Sequence, residues 1–362
     1  MSNIVVIQRV LANYREGFFD LLSKKIHYDL ICSDKNAGKI IAPDKINNKK
    51  YIYNPVSIKI STQFIFFPFL FFTLISMQPK HIITEGGQNT INNLFVWLYC
   101  KIFNCDYTIW DLGKGHIKTS KNKSFIRKIY DKLYNFILKD AKQVYTYNNR
   151  GIRYFRSEGF NKNIIPLKNT IDTREVEYAI SNYDKNKQQC INEKFNKFKY
   201  YLLYVGVLNE KKRLEDLKII MDMLPDEYGL IIIGSGNEQY VNKLKRLLDN
   251  GRTYFEGYKN MDQLQYYYNK VDCLILPGLG GLSINQAMAF GTPVICTEAD
   301  GIEEELVIDG ETGYIYDTID KAVKYIVGNS KEKWARMGEN AKNLFFKNYT
   351  IEKMVERFIE NL

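Results

Sequence analysis

The stretch Pro277 to Val294, PGLGGLSINQAMAFGTPV, decides how the rest of this chain is read. Four apolar residues, Cys273-Leu274-Ile275-Leu276, precede it as a strand of the buried kind, and Val294-Ile295-Cys296 follows as another. Between them a glycine-rich turn opens a helix near Leu282, and the helix closes at Gly291-Thr292-Pro293. Glycines let the backbone approach a ligand closely, and the first N–H groups of a helix have no partner within it. With the positive end of the helix dipole added, the segment outlines an anion site.

Outward from this point, strand-like and helical runs alternate along the chain. Ile4–Gln8 leads to an amphipathic helix over Glu16–Lys25 and a strand Tyr28–Cys32. Ile82–Thr84, helix Thr90–Phe103, Tyr107–Trp110, helix Ser124–Lys139, Gln143–Tyr147 and helix Arg150–Glu158 continue the pattern. A second set runs through strand Tyr200–Val205, helix Leu214–Met223, strand Leu230–Ile233, helix Gln239–Leu248, strand Thr253–Phe255 and helix Met261–Tyr268. Strand-then-helix alternation with short connections predicts α/β architecture, parallel sheets with helices on both faces. Residues 177–198 lose apolar periodicity and read as a linker region, so the domains are 1–176 and 199–345. The last helices, Lys331–Phe345 and Ile351–Leu362, close the chain, with 346–362 as a terminal helix of its own.

Composition agrees with that division. At 362 residues the chain suits two domains rather than one core. Residues 1–170 hold 26 Lys+Arg against 11 Asp+Glu, a net of +15, and residues 171–362 hold 25 against 30, a net of −5. The basic half is suited to an anionic partner: a bilayer surface, a lipid diphosphate or a nucleic acid. No RRM, KH or helix-turn-helix signature accompanies it, which disfavours nucleic acid. A dehydrogenase is disfavoured because no Gly-x-Gly-x-x-Gly with a following acidic residue stands after a first strand. Six cysteines without a CxxC pair or a histidine-rich partner set argue against zinc or a disulfide framework and for a reducing cytoplasm. No signal peptide is expected, since the opening Asn3–Ile7 run is strand-length and uncharged at its front. Gln63 to Ser76, QFIFFPFLFFTLIS, is shorter than the roughly 20 apolar residues a spanning helix needs and is interrupted by Pro68. It reads either as a buried helix or as a partly exposed one that dips its Phe side chains into a membrane interface.

Four further elements complete the pattern around 277–294. They are Val205-Gly206-Val207-Leu208-Asn209-Glu210-Lys211-Lys212-Arg213-Leu214, Ile233-Gly234-Ser235-Gly236, Phe255-Glu256-Gly257-Tyr258 and Asn169-Thr170-Ile171-Asp172. In this order and spacing they resemble the donor-sugar half of retaining GT-B glycosyltransferases, the family 4 group, well over 170–345 and by architecture alone before that. The resemblance implies a GT-B fold: two Rossmann-like domains facing across a cleft, with the C-terminal helix crossing back to the N-terminal domain. It also implies a donor site of Gly206, Gly234, Gly236, Tyr258, Gly280, Gly281, Leu282 and Gln286. Lys212 becomes the cation beside the leaving diphosphate, where a positive charge stabilises what develops in the transition state. The family's arginine five positions earlier is Val207 here, and Arg213 and Arg15 are the candidate substitutes. The family's two glutamates separated by seven residues fall on Gly278 and Gln286; Gln286 keeps the capacity to hydrogen-bond ribose without the charge. With no side chain at Gly278, sugar contacts are expected from the backbone N–H groups of Gly280, Gly281 and Leu282.

On the acceptor side, the turns Thr84–Gln88 and Trp110–His116 are expected at strand ends. There Glu85, Asp111 and His116 are candidates to position or deprotonate a hydroxyl. The basic run Lys114, Lys118, Lys121, Lys123, Arg127, Lys128 is a candidate for the phosphates of a lipid carrier. No Asp-x-Asp stands in a strand-end loop, so no metal and no cofactor are expected. The leading expectation is a retaining glycosyltransferase of surface polysaccharide assembly (capsule, O-antigen or exopolysaccharide), cytoplasmic and peripheral on the inner membrane face. Its substrates are a nucleotide sugar and an oligosaccharide or polyprenyl-diphosphate-linked acceptor. A catalytically inactive GT-B scaffold and a sugar-nucleotide epimerase are the alternatives.

Overall fold

The computed structural model describes residues 3–35, 49–61, 64–113 and 125–362. It forms two compact units, Met1–Asn169 with Ile351–Leu362, and Thr170–Thr350.

The first unit runs β1 (Ile4–Val10), α1 (Asn13–Lys25), β2 (Asp29–Ser33), β3 (Ile52–Tyr53), then the short hairpin β4 (Ile58–Lys59) and β5 (Ile65–Phe66). It continues with α2 (Leu70–Met77), β6 (His81–Glu85), α3 (Thr90–Phe103), β7 (Asp106–Trp110), α4 (Phe125–Asp140), β8 (Gln143–Thr146), α5 (Asn149–Ser157) and β9 (Asn163–Pro166). Apart from the hairpin these strands make one parallel sheet in the order β3-β2-β1-β6-β7-β8-β9. The order reverses between β1 and β6, so the carboxyl ends of those strands flank a crevice, where open α/β sheets place their ligands.

The second unit begins with α6 (Thr173–Ser181) and α7 (Lys185–Lys194), followed by β10 (Tyr200–Val205), α8 (Asp216–Met223), β11 (Tyr228–Ile233), α9 (Glu238–Leu247), β12 (Thr253–Gly257) and α10 (Met261–Tyr268). Next come β13 (Cys273–Leu276), α11 (Leu282–Ala289), β14 (Val294–Cys296), α12 (Glu303–Leu306), β15 (Gly313–Ile315), α13 (Ile319–Val327) and α14 (Lys331–Asn348). Its parallel sheet has the order β12-β11-β10-β13-β14-β15, with the reversal between β10 and β13. All residues of β10, β11 and β13 are buried, as strands covered on both faces require.

Two boundaries differ from the sequence reading. The expected linker region 177–198 is largely helical, holding the end of α6 and the whole of α7. The side chains of Asp172 and Asp184 cap α6 and α7, Gln188 donates to the Tyr266 carbonyl at 3.1 Å, and Phe195 packs edge-on against Tyr254. The Lys-rich, mostly exposed α7 simply lacks an apolar stripe of its own. At the other end, α14 runs to Asn348, and the last helix, α15 (Ile351–Ile359), belongs to the first unit. Its Phe358 packs within 5.1–5.7 Å of Tyr145, Phe18 and Trp110, and its carbonyl accepts from the Tyr145 hydroxyl at 3.0 Å. Removing a buried aromatic leaves both lost contacts and a cavity, so Phe358→Ala should destabilise the first unit by about 3 kcal/mol. Hydrogen exchange should show faster amides in residues 4–166 with the protection of 200–345 unchanged.

Candidate functional site

In the second unit, the loops after β10, β11 and β13 are pressed together at the point where the strand order reverses. Gly206 and Leu208 donate from their backbones to Ile233 and Ser235 carbonyls at 3.0 and 2.9 Å, which extends the β10–β11 pairing past the strand ends. That approach leaves no room for side chains. A Cβ at Gly234 would lie 1.8 Å from the Gly206 carbonyl oxygen, and one at Gly236 would lie 2.1 Å from that of Leu208. Gly234 and Gly236 therefore shape the site through steric closeness between neighbouring loops.

The loop after β13 joins them. Leu279 donates its N–H to the Lys211 carbonyl at 3.4 Å, and the Lys212 ammonium donates to the Leu279 carbonyl. Burial lowers the Lys212 pKa below the ordinary lysine value, and the nearby Asp300 charge opposes that shift. Gly281, at φ +60, turns the chain into α11, and no side chain caps the helix. The result is an open helix N-terminus with a desolvated cation on the adjoining loop, a pairing suited to a diphosphate. Gln286, one face along α11, accepts from the Tyr268 hydroxyl at 3.0 Å and is held against Met261 Sδ at 3.3 Å. Tyr258 is exposed on its loop. Arg213, a candidate clamp, instead turns to Asp216 at 2.5 Å on the solvent side. The buried Glu303, which sequence reasoning passed over, accepts the Ala299 and Gly301 N–H groups and fixes the loop after β14.

In the first unit, a cavity of about 390 Å³ lies at the carboxyl ends of β6 and β7 and is lined by Arg9, Glu85, Gln88, Asp111, Arg127, Tyr130 and Tyr134, among others. Two expected acceptor-side residues, Glu85 and Asp111, meet here. Arg9, in the apolar run of β1 and unremarked in the sequence, is the partner of Glu85. It pairs with Glu85 at 2.5 Å and donates to Gln88 at 2.6 Å. Asp111 accepts from the Tyr134 hydroxyl at 2.7 Å and from the Gly113 N–H at 3.1 Å. Burial nevertheless pushes its carboxyl above the ordinary aspartate value. Arg15 is buried in an adjoining recess, stacked 4.4 Å from the Trp110 ring and 4.9 Å from that of Tyr147, where it donates to the Tyr147 hydroxyl. His116 and the lysines at 114, 118, 121 and 123 lie outside the described residues.

Residues 185–344 match the family described as "Glycosyl transferases group 1". Over those residues the second unit is similar to a group 1 glycosyltransferase domain. Over 121 residues the chain is 32% identical to a sulfoquinovosyl transferase of Arabidopsis thaliana, covering 32% of this chain and 23% of that protein. Over 214 residues it is 25% identical to the lipopolysaccharide 1,2-N-acetylglucosaminetransferase of Salmonella typhimurium, covering 51% and 54%. The chain thus spans between about a quarter and about half the length of these curated relatives. Among solved structures, Anabaena HepE in complex with UDP superposes with a TM-score of 0.73 at 13% identity, covering 100% of this chain and 99% of that one. The fold is accordingly GT-B, an α/β plan of two Rossmann-like units.

Within the second unit, the glycine at 278 is a packing requirement. A Cβ there would meet the Lys211 carbonyl oxygen and the Lys212 carbonyl carbon at 2.7 Å, both of them backbone atoms that cannot swing away. Overpacking of this kind costs about 1–3 kcal/mol. Gly278→Glu, which would rebuild the two-glutamate spacing, should therefore lower the thermal midpoint and weaken nucleotide affinity. A variant that binds more tightly than the parent would contradict this packing account.

Proposed function

We propose that the chain is a retaining glycosyltransferase that moves a sugar from a nucleotide-sugar donor to a glycan or a polyprenyl-diphosphate-linked acceptor in surface polysaccharide assembly. The observation that carries this reading is the pairing of Lys212 with the uncapped N-terminus of α11. As the bond from the sugar to the diphosphate breaks, negative charge gathers on the leaving oxygens. The ammonium and the N–H groups at Gly281 and Leu282 stabilise it in a half-buried site, where such interactions count for more than in water. Gln286, held in place by Tyr268, is assigned to the ribose hydroxyls, and Tyr258 to the border of the base. Uridine is the favoured base, because HepE of the same fold is known with UDP. The likeness to a lipopolysaccharide acetylglucosaminyltransferase supports a glycan acceptor, with the protein working at the inner face of the cytoplasmic membrane.

Asp111 is assigned to the acceptor hydroxyl. Its raised pKa makes it a better proton acceptor than an ordinary aspartate, and Tyr134 holds its orientation. Glu85, fixed by Arg9, positions the acceptor without taking its proton. A catalytically inactive scaffold remains the second reading, favoured by the exclusion of any side chain at Gly278 and by Val207 in place of the clamp arginine.

Steady-state transfer with a panel of UDP-sugars separates the two. Lys212→Ala should lower turnover at least about 100-fold, the loss expected when a few kcal/mol of leaving-group stabilisation disappears. Nucleotide binding without turnover of any donor would favour the scaffold. The pH profile follows from the same two groups. Transfer needs Lys212 protonated and Asp111 ionised, so the rate should fall on the alkaline side below the ordinary lysine range. On the acid side it should fall above the ordinary carboxylate range. Asp111→Asn should remove the acid limb.

A further inference from the structure

Helices α2, α3 and α4 pack side by side on one face of the first unit's sheet. Each buries one side: Leu70 and Leu74 of α2, Val96, Tyr99 and Cys100 of α3, and Ile137 and Leu138 of α4. Their other sides are apolar as well. On α3, Ile91, Leu94, Leu98 and Ile102 recur at helical spacing along the exposed side, with Ile102 58% exposed. Phe69 and Phe72 stand out from the start of α2, Phe72 at 68%. Ile126, Ile129 and Phe136 form the corresponding row on α4, Ile126 at 78%. Scattered single apolar residues on a surface need no cause, but three adjacent helices presenting such rows together mark an interaction face.

The charges beside these rows say what covers them. Lys128, Lys132 and Lys139 are exposed along α4, and Lys80 is exposed after α2. Lysine is depleted from the cores of protein interfaces, whereas phenylalanine and isoleucine interleaved with lysine suit the headgroup boundary of an anionic bilayer. Among the described residues, no helix is long and apolar enough to cross a membrane, so these helices would lie along the surface. The opposite side of α4 supplies Arg127, Tyr130, Asp131, Tyr134 and Asn135 to the cavity that holds Asp111.

We propose that the outer face of α2, α3 and α4 seats on an anionic membrane surface. Phe72, Leu98, Ile102 and Ile126 enter the acyl boundary, and Lys128, Lys132 and Lys139 meet lipid phosphates. This deepens the lipid-linked reading of the acceptor: a carrier anchored in that bilayer presents its head one helix away from the Asp111 cavity.

The test is co-sedimentation of the full chain with vesicles of phosphatidylcholine and phosphatidylglycerol, and with phosphatidylcholine alone. The chain should bind the anionic vesicles, less so as salt rises. Phe72→Asp with Ile102→Asp should weaken binding at least about tenfold, and Lys128→Glu with Lys132→Glu should remove the preference for anionic lipid. Thermal shifts with UDP in the same variants show that each is folded and read the donor site separately. A nucleotide response with no vesicle binding overturns the membrane face and leaves the transferase reading standing. Vesicle binding with no nucleotide response does the reverse. Binding of both double variants at the parent's level would overturn the proposal. So would loss of self-association in place of vesicle binding, which would assign the face to a second copy of the chain.

Discussion

The constraint on which the second unit depends is contact between backbones with no side chain between them. The Gly206 carbonyl oxygen stands where a Cβ at Gly234 would be, the Leu208 carbonyl stands against Gly236, and the Lys211–Lys212 peptide stands against Gly278. Three loops that leave neighbouring strands at the reversal of the sheet thereby nest into one another. Lys212 is carried to the Leu279 carbonyl, and Gly281 can turn into a helix whose first N–H groups no side chain claims. The anion site proposed here is built largely from main-chain atoms. A hydrogen-bond donor that cannot rotate away needs little reorganisation when charge develops on its ligand.

That arrangement leaves no room at 278 for the glutamate that the sequence resemblance would put there. The space a side chain would need is taken up by the close packing that positions Lys212. A buried ammonium with its nearest acceptor on a neutral carbonyl is costly, and its pKa drops accordingly. Asp300 offsets part of that shift, and a diphosphate bound here would offset more of it. The first unit handles its charges differently, pairing them in advance: Arg9 with Glu85 and Gln88, and Asp111 with Tyr134. Pairing of this kind offsets part of the cost of burying charge and also holds the cavity in one shape.

Much of this was legible in the sequence, for physical reasons. Helices Thr90–Phe103 and Met261–Tyr268 and strands Tyr200–Val205 and Cys273–Leu276 match their predicted limits, because each has unbroken periodicity between clear stop signals. The glycines of 234–236 and 278–281 could be seen as a loop system, but not their purpose, since a steric need for glycine involves a partner far along the chain. Arg9 was invisible for the same reason: it sits in an apolar strand, and its partners lie 76 and 79 residues away. Arg213 looked like a clamp only until its bond to Asp216 was seen. Helix α7 reads as linker in the sequence because an exposed, lysine-rich helix carries no apolar stripe, whereas α6 buries Thr173, Val176 and Ala179 on one side.

The account turns on a diphosphate held between Lys212 and the start of α11. The most direct measurement is a thermal-shift panel of UDP, GDP, ADP, dTDP and CMP on the purified chain and on Lys212→Ala. A ligand that binds only the folded state adds about 2.7 kcal/mol of stability at a hundredfold over its dissociation constant, so modest affinity is visible. The prediction is a shift with one nucleoside diphosphate, UDP in the first instance, that largely disappears in Lys212→Ala. No shift with any nucleotide, or a shift indifferent to Lys212, would contradict the assignment of this site.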